Sequence, residues 1–324
     1  MLISVLLFAV GLVLLIKGGD WFVDGATGIA KRFNLPDIVV GATVVSIGTT
    51  LPEVMVSTTG ALAGSGAMAY GNAIGSIICN TALIAAISIT CNPGPVNVKS
   101  MKTPAIFFFC SAALYCFASY VLGEFPRWMG FVMLSIFVVY MVLTVRNGMK
   151  NPDAAAEEEE EESKPKALWQ ELLLLVAGAA VIAVGADLLV EHGQIIALEL
   201  GVPETVVALL FVALGTSLPE LVTTITSLKK GRASLGVGNV IGANVFNLVL
   251  VSGVAVSLAP FPVPCENFLL DTGLNMSLVL EIPVMLGVMS LMIFPALATK
   301  KLGPWQGILL LAIYAAFCVC QFVL

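Results

Sequence analysis

The chain has 324 residues, of which 59% are hydrophobic and only 11% charged, and its formal net charge is −6. Soluble domains carry about 25% charged residues, so this composition argues against a soluble globular enzyme, a disordered protein and a nucleic-acid-binding protein. Without the six consecutive glutamates at 157–162, acidic and basic residues balance at 15 each. The negative charge is therefore confined to one short tract.

Ten apolar runs are bounded by polar, glycine or proline loop residues, and each is long enough to be a transmembrane helix. In chain order they cover 2–22, 37–63, 69–91, 104–122, 127–147, 168–190, 203–228, 235–258, 281–299 and 304–323. The first run lacks the basic start and the small-residue cleavage site of a signal peptide. The seven cysteines form no CxxC pair, and we interpret them as small hydrophobic residues. The sequence therefore predicts an all-α integral membrane protein with ten transmembrane helices.

The one long hydrophilic segment lies in the middle of the chain and contains the glutamate tract. We predict a first five-helix repeat over 1–147, an acidic linker over 148–167 and a second five-helix repeat over 168–324. A run of like charges repels itself and stays unfolded, so we interpret the linker as a flexible tether. A calcium-attracting or regulatory role is the alternative.

The basic residues predict the orientation of the chain in the membrane. With ten spans both termini share one side, and 14 of the 15 Lys and Arg residues fall on the opposite side, Arg127 being the exception. Cytoplasmic loops carry the excess of Lys and Arg. We therefore expect a plasma membrane protein, in a bacterial or archaeal inner membrane, with a cytoplasmic linker and both termini external.

Two motifs recur at an offset of 167 residues. GTTLPE at 48–53 returns as GTSLPE at 215–220, and GNAIGSIICN at 71–80 returns as GNVIGANVFN at 238–247. Between 18–80 and 185–247, 21 of 63 positions are identical without a gap. Because each half holds an odd number of spans, the second half must be inverted relative to the first. This arrangement is typical of secondary transporters, whose site lies near the midplane where the halves meet.

The repeated glutamates, Glu53 and Glu220, lie deep inside apolar helices, where an ionisable residue marks a functional site by default. The proline before each glutamate leaves the carbonyl four residues earlier without its usual N–H partner. The adjoining glycines and hydroxyl residues favour a local opening of each helix. Backbone groups of this kind are tolerated at membrane depth only where they line a cavity or bind something. The candidate cation ligands are Glu53, Glu220, Thr49, Thr50, Gly48, Gly215, Thr216 and Ser217.

The second motif adds polar side chains to the third helix at a spacing of four residues: Asn72, Ser76 and Asn80. Its counterpart in the eighth helix is Asn239, Ala243 and Asn247. We include Ser76, Asn80 and Asn247 among the ligands, although the asparagines alone could also join helices. The offered ligands are oxygens, which suit hard cations and above all Ca²⁺. Two carboxylates balance one Ca²⁺ or two Na⁺.

These paired motifs resemble the two alpha repeats of the sodium/calcium exchanger family, in the short prokaryotic form without a regulatory domain. The resemblance covers the whole chain. It implies discontinuous second and seventh helices, packed by the third and eighth, and a sliding of the first and sixth helices across that core. It also implies Ca²⁺ between the two glutamates, Na⁺ at the neighbouring hydroxyls and carbonyls, and several Na⁺ exchanged per Ca²⁺. Transported Ca²⁺ and Na⁺ are the expected ligands, with no tightly bound cofactor.

Two positions depart from the family pattern. Ala243 stands where the family usually has Ser, which puts one Na⁺ site in doubt. Asn247 stands where potassium-dependent relatives carry Asp, which weakly disfavours K⁺ co-transport.

A Na⁺/Ca²⁺ antiporter in which a monomer suffices for transport is the preferred hypothesis. The first alternative is an H⁺/Ca²⁺ or other cation exchanger that uses the same glutamates. An intramembrane hydrolase would need inequivalent acid and base roles, whereas the two glutamates have nearly the same sequence surroundings. A passive channel would show flux that is independent of any counter-ion.

Overall fold

The computed structural model describes residues 2–150, 167–200, 215–264 and 275–323, and almost all of them are helical. The helices are α1 Leu2–Phe33, α2 Asp37–Leu62, α3 Gly66–Cys91, α4 Val98–Leu122, α5 Arg127–Met149, α6 Leu168–Glu199, α7 Leu218–Lys229, α8 Ala233–Leu258, α9 Ser277–Thr299 and α10 Pro304–Val323. Within these ranges nine helices are long and apolar enough to cross a membrane. Only the last part of the predicted seventh span, α7, is described, and the glutamate tract of the linker lies outside the described residues.

Both α1 and α6 are longer than the apolar runs that predicted them, which ended at 22 and 190. The extra turns of α1 stay helical because one of their faces is apolar and buried, including Ala26 and Ile29. The helix α4 also begins earlier than predicted, at Val98. Its first turn is capped by the side chain of Asn97, which accepts a hydrogen bond from the Ser100 N–H at 3.2 Å.

The helices α1 and α6 cross each other in an antiparallel pair at glycine contacts. A Cβ built on Gly11 would lie 2.9 Å from the carbonyl oxygen of Gly185, and a Cβ on Gly18 would lie 2.9 Å from the backbone nitrogen of Ile182. Near the C-terminus of α1, Arg32 Nε donates to Glu171 Oε2 of α6 at 3.0 Å. Small residues let the two backbones approach closely, so α1 and α6 form one tightly packed unit.

The predicted opening of the second and seventh helices takes two different forms. Around Gly215–Leu218, Thr216 and Ser217 form a turn between helical Gly215 and the start of α7. In α2 the backbone stays helical through Pro52, and its irregular segment is instead the π-helical stretch Gly41–Val45. A π turn widens the helix locally. This second helix therefore deviates from α-helical geometry before the glutamate motif and not at it.

Four two-residue strands tie the ends of the helices together in pairs: β1 Gly94–Pro95, β2 Glu124–Phe125, β3 Phe261–Pro262 and β4 Lys301–Leu302. The strand after α3 pairs antiparallel with the strand before α10, as β1 with β4. The strand after α8 pairs in the same way with the strand before α5, as β3 with β2. In each half, the strand after the third helix therefore pairs with the strand before the fifth helix of the other half. The two strand pairs are related in the same way as the two sequence repeats.

The helices α3 and α8 are the most buried spans, and α8 packs directly on α2. A Cβ on Gly238 would lie 2.8 Å from Ile38 Cα, and a Cβ on Gly242 would lie 2.5 Å from Ala42 Cα. The glycines of the second motif thus allow α8 to pack closely on α2. A Cβ built on the corresponding Gly71 or Gly75 would meet no atom of other described elements within 4 Å. The residues that would face them by the 167-residue repeat fall in 201–214, outside the described range.

Candidate functional site

The two repeated glutamates lie on helices of opposite halves, one on α2 and one on α7. Glu53 and Glu220 are both fully buried, and they are close enough for electrostatic repulsion between them. Neither oxygen of either carboxyl group has a hydrogen-bond partner among the described residues. An uncompensated buried charge is strongly unfavourable, so the charges of this pair have to be offset by protons or by a bound cation.

The predicted hydroxyl and amide ligands around the glutamates are buried in the same unpaired state. Thr50, Ser217, Asn80 and Asn247 are at most 1% exposed, and their side-chain polar atoms also lack hydrogen-bond partners within the described part of the chain. Each unpaired buried group costs about 1–3 kcal/mol. The oxygens of these groups could be satisfied by a desolvated cation, whereas the amide nitrogens of Asn80 and Asn247 are donors and could not.

Thr49 is held by a residue that was not among the predicted ligands. Its hydroxyl donates to Asn239 Oδ1 at 3.1 Å, which links α2 of the first half to α8 of the second. Ser46 Oγ lies 3.2 Å from the same oxygen and donates at 2.8 Å to the Gly41 carbonyl, at the start of the π-helical segment. Thr49 also lies beside Glu220. Asn239 therefore positions a first-half hydroxyl against the second-half glutamate.

Asn72, the repeat counterpart of Asn239, makes different contacts. Its Nδ2 donates to the Glu53 carbonyl oxygen at 3.2 Å and to Ser57 Oγ at 2.9 Å. Asn72 therefore fixes the backbone of the α2 glutamate rather than a ligand side chain. The repetition of Asn at the head of both GN motifs was the sequence signal for these two residues. One turn further along α3, the predicted ligand Ser76 is buried.

The predicted backbone ligands border a groove of about 1110 Å³ between α2, α6 and the start of α7. Gly48, Gly215 and Thr216 lie on its wall together with Pro52 and Pro219. Because proline has no N–H, the carbonyls of Gly48 and Gly215 each lack one helical donor. Most of the remaining wall is apolar, and Asp187, Glu191 and Gln194 of α6 supply polar groups to it.

Cys79 is a site neighbour that the sequence reading missed, because we interpreted all cysteines as small hydrophobic residues. It is buried on α3, and both Ser217 and Glu220 are near enough to interact with its thiol. On its other side the Tyr314 hydroxyl donates to Cys79 Sγ at 3.8 Å. No sequence signal marked this position, since its repeat counterpart is Phe246.

In the described ranges, no group of three or more His, Cys, Asp or Glu side chains is arranged so that it could hold a metal ion. Besides the two carboxylates, the oxygens that can ligate a cation are therefore hydroxyls, amides and carbonyls. Oxygen ligands of this kind suit hard cations such as Ca²⁺ and Na⁺.

The geometry agrees with comparisons to known proteins. The family described as "Sodium/calcium exchanger protein" matches residues 3–146 and 171–323. An uncharacterised membrane protein of Methanocaldococcus jannaschii is 34% identical over 308 residues, covering 95% of this chain and 94% of that protein. The sodium/calcium exchanger MaX1 of Methanosarcina acetivorans is 29% identical over 355 residues, covering 99% of both chains.

Among solved structures, the sodium-calcium exchanger NCX_Mj, soaked with Na⁺ and Sr²⁺, superposes with a TM-score of 0.80 at 32% identity. The match covers 100% of this chain and 99% of that one. The inverted-repeat fold and the integral membrane character expected from the sequence are thereby confirmed. This chain is an integral membrane protein that belongs to the sodium/calcium exchanger family, a family of transporters.

Proposed function

We propose that this chain is a secondary antiporter that exchanges Na⁺ for Ca²⁺ by alternating access to the site between Glu53 and Glu220. The observation that carries the proposal is the pair of fully buried carboxylates, one from each inverted half, without hydrogen-bond partners among the described residues. Their combined charge of −2 balances either one Ca²⁺ or two Na⁺. Occupancy by one ion therefore disfavours the other, and transport of the two becomes coupled.

The two ions make different demands on the ligands. Ca²⁺ takes six to eight oxygens and depends on carboxylates, so we assign it to Glu53 and Glu220. Na⁺ carries one charge and is satisfied by neutral oxygens, which the surrounding residues offer. The proposed neutral ligands are Thr49, Thr50, Ser76, Asn80, Thr216, Ser217 and Asn247, with the carbonyls of Gly48 and Gly215.

The relatives support the choice of ions. The relative from Methanosarcina acetivorans is named a sodium/calcium exchanger, and NCX_Mj was studied for extracellular ion exchange with Na⁺ and Sr²⁺. Sr²⁺ resembles Ca²⁺ in charge and in its preference for oxygen. The site residues of the present chain offer the same kind of ligands.

The direct test is Ca²⁺ uptake into proteoliposomes with and without an opposing Na⁺ gradient. We expect uptake to require internal Na⁺ and to stop when K⁺ or choline replaces it. A pH gradient that drives Ca²⁺ uptake without Na⁺ would instead favour the H⁺/Ca²⁺ alternative. Uptake that needs no counter-ion would indicate a channel and contradict the proposal.

Ala243→Ser tests whether position 243 lines a Na⁺ site. Ala243 is buried one turn before Asn247 on α8, and a serine would return a hydroxyl to that face. We expect the apparent affinity for Na⁺ to change more than that for Ca²⁺, because Ca²⁺ depends chiefly on the carboxylates. Initial rates over a range of each ion give the two affinities. Equal shifts, or none, would place position 243 away from a Na⁺ site.

The orientation can be tested through the acidic linker. We expect single cysteines at 152–166, in a chain without its native cysteines, to react only with cytoplasmic thiol reagents. The reason is the 14-to-1 division of basic residues between the two sides. Labelling of the linker from outside intact cells would show that the predicted orientation of the whole chain is the wrong way round.

A further inference from the structure

The charged residues of the α7–α8 loop connect the α1–α6 pair to the rest of the molecule at one end. Lys230 Nζ lies 2.7 Å from Asp24 Oδ1 and 3.7 Å from Asp20 Oδ1, both on α1. It also donates to the Asp20 carbonyl at 2.9 Å. Next to it, Arg232 NH1 donates at 3.2 Å to Asp37, the first residue of α2. This loop therefore rests on the core through Arg232 and reaches across to α1 through Lys230.

The 167-residue repeat identifies the corresponding loop at the other end of α2. Lys230 corresponds to Ala63, and the two residues have nearly the same backbone, with φ, ψ of −87°, 10° and −77°, 1°. Each is followed by a glycine with positive φ, Gly231 at 70° and Gly64 at 84°. The two loops thus have the same shape, but one presents an ammonium group and the other a methyl group.

The acidic partners are repeated although the lysine is not. Asp20 and Asp24 of α1 correspond to Asp187 and Glu191 of α6. The first pair is bound by Lys230, whereas no ion pair joins the second to any residue in the described ranges. Instead, Asp187 and Glu191 lie on the groove that borders Gly215 and Thr216. One end of the α1–α6 pair is therefore fastened to the core, and the other faces an open groove.

We propose that Lys230 is a one-sided latch, which holds the α1–α6 pair against the α7–α8 loop and thereby favours the conformation with the groove open at Asp187 and Glu191. The inference rests on the proposed exchange function, because alternating access requires the site to open to each side in turn. In the opposite conformation the Lys230 contacts have to break, and Ala63 offers no ion pair to compensate. The chain would thus favour one of its two access conformations, the one with the groove open.

The test measures how readily a cysteine in the groove reacts. Ala183 of α6 is half-buried on the groove wall, and Ala183→Cys in a chain without native cysteines reports groove opening through its rate of reaction with a small neutral maleimide. In the absence of transported ions, we expect Lys230→Ala to slow labelling roughly two- to fivefold, in line with exposed ion pairs. High salt should slow labelling of the unaltered chain and have less effect on Lys230→Ala, because the latch is screened.

The repeat supplies matched variants. By the repeat, Ala63→Lys would place an ammonium group where Asp187 and Glu191 could bind it once the groove closes. We therefore expect Ala63→Lys to favour closure, and the double variant with Lys230→Ala to be labelled more slowly than Lys230→Ala alone. Lys230→Arg should preserve the normal rate, and the exchanged pair Asp24→Lys with Lys230→Glu should restore it. The control is Lys229→Ala, which removes a neighbouring exposed charge that makes no ion pair with the described residues and should leave the rate unchanged.

Unchanged or faster labelling of Lys230→Ala, in a protein that melts at the normal temperature, would overturn the latch. An effect of equal size in Lys229→Ala would also overturn it, because general surface charge would then be the cause. Labelling needs no transport, so its outcome is separate from that of the uptake assay. A normal exchanger without the labelling change refutes the latch alone, and a labelling change without exchange refutes the proposed function alone.

Discussion

Glu53→Gln and Glu220→Gln are each expected to abolish Ca²⁺ transport in reconstituted vesicles. The amide preserves the size of the side chain and one oxygen, but it removes one of the two charges that face the ion. The remaining carboxylate neutralises only half of a Ca²⁺ charge in a site where both glutamates are fully buried. Uncompensated buried charge costs several kcal/mol, and about 3 kcal/mol already lowers affinity more than a hundredfold.

The measurement is Na⁺-gradient-driven Ca²⁺ flux, accompanied by thermal melting with and without Ca²⁺. A ligand that binds only the folded state raises the melting temperature, so Ca²⁺ should stabilise the unaltered chain and neither variant. Glu281→Gln is the matched control, because Glu281 lies at the start of α9 and accepts a hydrogen bond from Gln321 at 3.3 Å. It should transport normally.

Melting of the two variants also separates the effect of the lost charge on ion binding from its effect on the stability of the fold. Removing either carboxylate relieves the repulsion between Glu53 and Glu220, so we expect each variant to melt at or above the ion-free temperature of the unaltered chain. Transport near the normal rate by both folded variants would contradict the central site. Loss of transport together with loss of the folded protein would contradict the claim that these carboxylates act on the ion rather than on the fold.

Gly238→Ala is expected to lower the free energy of unfolding by about 1–3 kcal/mol, the usual cost of overpacking. The added methyl group would meet the main chain of Ile38, 2.8 Å from its Cα and still closer to its carbonyl oxygen. A backbone cannot move aside as a flexible side chain can, so α8 has to shift away from α2. Because Asn239 follows Gly238 directly, the contact between Asn239 and Thr49 should be disturbed as well.

Thermal melting in detergent measures the loss of stability. Gly287→Ala in α9 is the control, since its Cβ would meet no atom of the described residues within 4 Å. An alanine at an unhindered helical position is expected to stabilise by roughly 0.5–1 kcal/mol relative to glycine. If Gly238→Ala melts like Gly287→Ala, then α2 and α8 are not packed as closely as the glycine contacts indicate.

The sequence predicted the membrane class and the two inverted halves, and it proposed the candidate site residues, because these depend on local or repeated patterns. Apolar runs have the length of a bilayer core, and a repeat of 167 residues over an odd number of spans determines the inversion. The buried glutamates were visible because a charge in an apolar run is rare. Helix ends were harder to predict. The last turns of α1 carry charged residues on one face and buried apolar residues on the other, so the apolar run ends before the helix does.

Only the tertiary structure determined how the two halves differ. The sequence presents Asn72 and Asn239 as equivalents, but in the fold Asn72 binds the Glu53 carbonyl and Asn239 binds Thr49. Cys79 carries no repeat signal, and its place beside Ser217 and Glu220 follows from the packing of α3 against α7. A side chain's partners across helices depend on crossing positions and rotations, which each helix's own sequence does not encode. The unpaired oxygens of the site could likewise be recognised only in the tertiary structure, because a hydrogen-bond partner is known to be missing only when the neighbouring side chains are in place.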